Sequence, residues 1–412
     1  LNAYGRAYRD SGRDAGALAI IEDLDSDQDG FSNAEEITAF RYPGDEGDDP
    51  TKVTAPYRIF DLEDLEALPQ HTQFMLMNTH KSGDFYAEYQ GVPLDDLLEA
   101  AGILLPLAES IHVLAPDGWA QFHPLEPDPD PSFYSVYGNY PVAEYFYDVQ
   151  ADEALNPQGW CDYSAPSNMG RENGDPIEIE GGLKMILALR REGEYLEAGV
   201  LNEDNKLDGE GPFRVVPPQK SVGPPDQSTR ADDPENPDKW IWPFLDDGDH
   251  NAGFATRSAT MIRVDPLPQG TTDVNILEAG WNFVDEGKII VYGAIDPRPR
   301  ILAILDGLIA EIEAMDRQAF QRPFLKYQLL WKTCWLRLLV QREKDRPALR
   351  LIEKMLLPKV DGCIEMKPAA TPGKYCPHPW NPAARDWIVD CELQKPFYWT
   401  LRELTVLLKI LT

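Results

Sequence analysis

"YAEYQGVPLDDLLEAAGILLPLAESIHVLAPDGWAQFHPL" runs from Tyr86 to Leu125 and changes its period twice. From Gly91 to Ile103 the apolar residues recur at helical spacing, and Pro93 stands near the start, where a proline suits a first turn. Ser110 to Leu125 reads as two strands around a Pro-Asp-Gly turn. A helix thus sits directly beside a hairpin, and the class expected from this stretch is α+β.

Outward from it, the 412 residues allow two or three domains and ample length for a large core. Residues 51–296 are expected to form a mixed central domain. "GGLKMILALRREGEYL" within it reads as a helix or a buried segment, while "GPFRVVPP" and "SATMIRVDPL" read as strands. The polar, proline-rich "VGPPDQSTRADDPENPDKW" reads as a surface loop. From residue 297 to 412 the pattern turns helical: "ILAILDGLIAEIEAMD", "FLKYQLLWKTCWLRLLVQ", "RPALRLIEKMLLPKV" and "FYWTLRELTVLLKILT" predict a helical bundle. The formal net charge of -32 argues against nucleic acid and anionic membranes as partners, and favours divalent cations or a basic protein surface. No run of apolar residues is long enough to span a bilayer.

Residues 1–50 hold the most specific motif. "DLDSDQDGFSNAEE" (Asp23 to Glu36) places acids densely around one glycine, between the helical stretches "AGALAIIED" and "SNAEEITAF". Such a cluster repels itself unless a cation is present. It follows the EF-hand spacing D-x-[DN]-x-[DN]-G-x5-E. Asp25, Asp27 and Asp29 fill the first three ligand positions, and Gly30 supplies the turn. Phe31 offers its backbone carbonyl, Asn33 a direct or water-mediated contact, and Glu36 a bidentate carboxylate. The expected cofactor is calcium. A solvated acidic turn with Ser32 as a helix cap is the plainer alternative. With one loop, a structural staple is expected rather than a sensor. The loop resembles those of dockerin and thrombospondin-type repeats of secreted proteins, which work at calcium on the order of 10⁻⁴ to 10⁻³ M. "GDEGDDP" (Gly44 to Pro50) reads as linker, and "LNEDNKLDGEGP" (Leu201 to Pro212) is acid-rich without the EF spacing, with a second calcium site as its minor alternative.

The stretch from Tyr86, with "IHVLAPDGWAQF" and the later "GEGPFRVVPP" (Gly209 to Pro218), resembles the molybdopterin-binding domain of the sulfite oxidase family over roughly residues 54–266. The resemblance implies that family's mixed fold in the centre of the chain. Active members hold molybdenum by a cysteine thiolate in the strand before the G-V-P-L helix. Here that stretch is "FMLMNTHKSGDF" (Phe74 to Phe85), which lacks cysteine; Met77 and Asn78 are no substitute for a thiolate on a soft metal. Cys161 lies far along the chain, and only Lys81, Arg171 and Arg214 are available to anchor a pterin phosphate. The fold is therefore expected without molybdopterin and without its redox chemistry. The alternative is an active molybdopterin oxidoreductase with a non-cysteine metal ligand.

"LIEKMLLPKVDGC" and "NPAARDWIVDCELQKPFYWTLRELTVLL" resemble a C-terminal helical module of secreted bacterial proteins. That resemblance implies a disulfide between Cys363 and Cys391; a Cys334–Cys376 pair is a further possibility. "CPHP" (Cys376 to Pro379) is a weak metal motif. Disulfides and an extracellular-type calcium loop both fit an exported protein, extracellular, at the cell surface or periplasmic. No hydrolase, zincin, Walker or dinucleotide motif occurs, and no catalytic residue is assigned. His80 and His123 flank pieces of the central domain and read as ordinary surface or strand-end histidines, with a shared cleft as the alternative. "YSVYGNYPVAEYFYDV" reads as core packing or a partner surface. The expected role is binding or assembly at the cell exterior, with a basic or cytochrome surface as partner and oligomerisation allowed; a subunit of a surface layer or filament is a further alternative.

Overall fold

The computed structural model describes residues 1–39, 41–79, 83–127, 133–147, 161–203, 207–225, 249–274, 279–362 and 386–412. The chain is α+β. It divides into two compact units: Tyr57–Pro266 with Val274–Ile295, and Leu1–Pro56 with Leu267–Asp273 and Asp296–Thr412.

The first unit contains two sheets. One has the order Glu194–Tyr195, Ile186–Arg191, Asp84–Pro93, His71–Met77. Arg214–Val216 also pairs with Ile186–Arg191, and Cys161–Asp162 runs parallel to Asp84–Pro93. His71–Met77 and Asp84–Pro93 pair antiparallel from His71 opposite Gly91 to Met77 opposite Phe85. The stretch expected as a helix from Gly91 begins as strand: Gly91, Val92 and Pro93 face Ala188, Leu187 and Ile186, and the helix proper is Leu94–Ala101. The reason is close approach. A Cβ on Gly91 would lie 2.0 Å from the Leu187 carbonyl oxygen, so only glycine admits the neighbouring strand. Leu94, Leu97, Leu98 and Ala101 then point inward, and Gly102, at φ 85°, ends the helix.

"GGLKMILALRREGEYL", open between helix and buried segment, resolves to the strand Ile186–Arg191. Ile186, Leu187, Ala188 and Leu189 are all buried, and a strand enclosed on both faces carries no alternation. The second sheet runs Tyr57–Asp61, Lys288–Gly293, Met261–Asp265, Ser110–Leu114, Ala120–Pro124. Its last two strands form the expected hairpin, with Ile111 opposite His123. Tyr134, Tyr140 and Tyr145 of the aromatic stretch are core residues.

The second unit joins both ends of the chain. Helices Arg298–Ala314, Phe324–Gln341, Asp345–Leu351 and Cys391–Lys409 enclose a core that includes Ile301, Leu305, Leu329, Leu336, Leu401 and Leu404. Each such side chain contributes about 1.5–3 kcal/mol by burial. The N-terminal helices Ala3–Asp10, Ala15–Ile21 and Asn33–Thr38 belong to the same unit. Val53–Thr54 pairs in parallel with Thr271–Thr272. Arg300 donates to the Thr54 and Ala55 carbonyls (2.8 and 2.9 Å) and pairs with Glu403. Residues 1–50 and 297–412, expected as separate spans, fall in one compact unit, in which Arg300 reaches Thr54 and Ala55 more than two hundred residues away. Among the described residues no helix is long and apolar enough to cross a membrane.

Candidate metal centre

The N-terminal loop is built from its flanking helices inward. Asp14 caps Ala15–Ile21 by accepting from the Ala17 N–H at 2.9 Å. Ser32 and Glu35 form a reciprocal capping box at the start of Asn33–Thr38. Two backbone bonds close the loop at its base: Asn33 N–H to Leu24 O (2.7 Å) and Ala34 N–H to Glu22 O (2.8 Å). Within it, Asp25 accepts from the N–H groups of Gln28 (2.7 Å) and Gly30 (2.9 Å), and Asp29 accepts from Phe31 N–H at 2.8 Å. Gly30 sits at φ 100° with nothing near the position of a Cβ, so backbone conformation rather than space demands glycine there.

Asp25, Asp27 and Asp29 each present an oxygen within 4.8 Å of the others. Glu36 and Asn33 are fully buried. The Asn33 amide donates to Ile21 O at 2.6 Å, which leaves its Oδ1 as an acceptor. That Oδ1, Oδ2 of Asp27 and of Asp29, and both carboxylate oxygens of Glu36 are buried without a hydrogen-bond partner. Burial, followed by the charges of Asp27, Asp29 and Asp25, pushes the Glu36 carboxyl up to about 8. Burial first, then its acidic neighbours, also raises Asp29. Buried acceptors without donors are costly. Five in one helix–loop–helix make an all-oxygen donor set suited to a hard cation. Phe31 occupies the expected loop position, and its N–H is held by Asp29.

Sequence reading missed Asp48. In "GDEGDDP", taken as linker, this residue is only 3% exposed, accepts from Tyr42 N–H at 2.9 Å and faces Arg41 Nε at 3.8 Å. It adds to the field that raises Glu36, and its own carboxyl is raised by burial. Nothing in the local pattern marks it out among its acidic neighbours. Of the second acidic stretch, Glu210 is already engaged with Arg191 and Arg214 (2.8 and 2.9 Å).

Several residues considered for a molybdopterin site are engaged within the fold of the central unit. After His71–Met77 the chain continues into buried Asn78, whose N–H donates to Asn251 Oδ1 at 2.9 Å. Arg171 stands 3.7 Å from the centre of the Phe74 ring and donates to Ser167 O. Arg214 is buried and holds Glu210 and the Tyr89 hydroxyl. Both arginines are engaged within the fold, and the cysteine in this region is buried Cys161, opposite Asp84, whose carboxylate accepts from Thr79 N–H at 2.7 Å just past the strand's end. His123 is a core residue; its Nδ1 lies 2.9 Å from Tyr134 O, and burial drives its pKa down to about 3, so it stays neutral. His80 and Lys81, with Cys363, Cys376 and the "CPHP" motif, lie outside the described residues.

Cys391 is disulfide-bonded, and its partner lies outside the described residues. Cys334 is a free, exposed thiol, which removes it from the further pairing considered for Cys376. Comparison of the chain with protein-family models, curated proteins and solved structures finds no match.

Proposed function

We propose that this chain is an exported calcium-binding protein in which one ion staples the N-terminal helix–loop–helix, and that it acts in binding or assembly at the cell exterior rather than in redox catalysis. The observation that carries the calcium reading is Glu36, fully buried with both oxygens unpartnered and in the field of Asp27, Asp29 and Asp25, whose own oxygens converge within 4.8 Å. Calcium suits the set better than magnesium: it accepts six to eight oxygens at flexible distances, whereas magnesium demands a tight octahedron and retains water. Asp25, Asp27, Asp29, the Phe31 carbonyl, Asn33 and Glu36 are the ligands. A single loop with buried anchors stiffens structure; it does not report concentration changes. The disulfide at Cys391 supports an oxidising compartment. The central unit is a sulfite oxidase-like fold kept as scaffold, and the lack of a cysteine in Phe74–Phe85 supports a non-redox role. The acidic body suits a basic partner, such as the surface of an extracellular cytochrome.

Calorimetric titration of the chelator-stripped full chain tests this. Calcium is expected to bind at one site per chain with a Kd on the order of 10⁻⁴ to 10⁻³ M, and magnesium much more weakly. Absence of a calcium heat, with an unchanged melting temperature, sinks the metal site. Elemental analysis of protein from its native source checks the rest, since molybdenum near one atom per chain overturns the non-redox role.

A further inference from the structure

The Phe324–Gln341 helix contains no Asp or Glu. None occurs anywhere from Arg317 to Arg342, a span that carries Arg317, Arg322, Lys326, Lys332, Arg337 and Arg342. The other 32 Lys and Arg share the chain with all 70 acids. Of these bases, Arg337 pairs with Asp306, Lys326 donates to the Glu313 and Met315 carbonyls and Lys332 is buried, which leaves Arg317, Arg322 and Arg342 as the exposed bases at the two ends of the stretch.

One side of the helix supplies Leu325, Leu329, Leu336 and Val340 to the core. The other side leaves Phe324 55%, Tyr327 50%, Trp331 64% and Trp335 44% exposed. Spacings of seven, four and seven residues put Phe324, Trp331, Trp335 and Arg342 along one line of the helix surface, with Tyr327 one turn from Trp331. The two indole rings stack at 6.5 Å and 13°. Arg317 stands 5.3 Å from the Tyr327 ring centre. Packing within the fold does not account for four large aromatics in water on one face. Exposed apolar patches rimmed by polar groups mark interaction sites, and Trp, Tyr and Arg carry most of the energy in such contacts.

We propose that this aromatic, base-rimmed stripe docks on the acidic surface of a second copy of the chain. Charge complementarity selects the occupant: away from this stretch the chain presents a large excess of carboxylates. The contact joins unlike patches, so it is head-to-tail and propagates into rings or filaments rather than closing as a two-fold dimer. Repulsion between two chains of net charge -32 is screened beyond about 8 Å at physiological ionic strength. The stripe therefore meets its target at short range, where its own charge and the indole rings govern the contact. An anionic bilayer also complements the bases, but docking there would carry the acidic body against like charge. The inference does not rest on the metal site.

Sedimentation velocity of the full chain with calcium, at physiological salt and over a hundredfold range of concentration, provides the test. The average mass is expected to climb past that of a dimer. The double variant Trp331→Ala/Trp335→Ala, and separately Arg342→Glu, should each weaken association at least tenfold. Both changes are on exposed positions, so the melting temperature should hold; if the double variant melts early, Arg342→Glu alone decides. The proposal is overturned if the wild type stays monomeric, if it stops at a dimer, or if the variants associate as tightly as the wild type. A monomer that co-sediments with phosphatidylserine vesicles also overturns it, in favour of a membrane face.

Discussion

Glu36 concentrates the chemistry of the N-terminal loop in one side chain. Its carboxylate is buried in the field of three aspartates, and a calcium ion held there would compete with the proton. Glu36→Gln keeps the shape and removes the charge; calcium affinity should fall at least tenfold, about 1.4 kcal/mol, as read by titration calorimetry. The pH dependence follows in sign. In the absence of metal the folded-state pKa is about 8, against an ordinary value of 4.5. The folded protein then holds this proton more tightly than the unfolded chain. That contribution is complete below pH 4.5 and disappears as pH rises through about 8. Chelator-treated protein should therefore lose stability across that window, and saturating calcium should abolish the loss, since the ion takes the place of the proton. Thermal melts with and without calcium at several pH values check both halves.

At the scale of elements, packing decides more than propensity. Leu404 of the Cys391–Lys409 helix is fully buried. Leu404→Ala should destabilise the helical unit by about 2–5 kcal/mol through lost transfer energy and a cavity, measured by denaturant unfolding. Gly91→Ala should be comparably harmful although alanine favours regular structure elsewhere, because its methyl would collide with the Leu187 carbonyl. Circular dichroism and expression yield would reveal that defect. Helical periodicity made Arg298–Ala314 and Phe324–Gln341 readable, the latter to its ends. The same criterion carried the helix at Leu94–Ala101 three residues too far upstream, since "GVP" obeys a helical pattern and a strand end equally well.

Across the whole molecule, two separate cores imply two thermal transitions. Calcium should raise only the transition of the unit that contains Leu1–Pro56 and the helical bundle. Arg300→Ala, which removes the bonds to Thr54, Ala55 and Glu403, should lower that same transition by about 1–3 kcal/mol and leave the other in place. Differential scanning calorimetry distinguishes the two. A single transition that shifts as one under both treatments would show the units to be thermodynamically fused.

The acidic loop was legible because its candidate ligands fall within twelve consecutive residues, and a single tight turn brings Asp25, Asp27 and Asp29 together. The bundle helices were legible because an apolar stripe has a period. The amino-acid sequence by itself thus determined the α+β class, the loop and most of the helices. Only tertiary structure decided that Glu36 and Asp48 are buried, that Ile186–Arg191 is an enclosed strand, and that the two ends of the chain form one body. Burial and strand pairing are properties of the surroundings that no local pattern encodes.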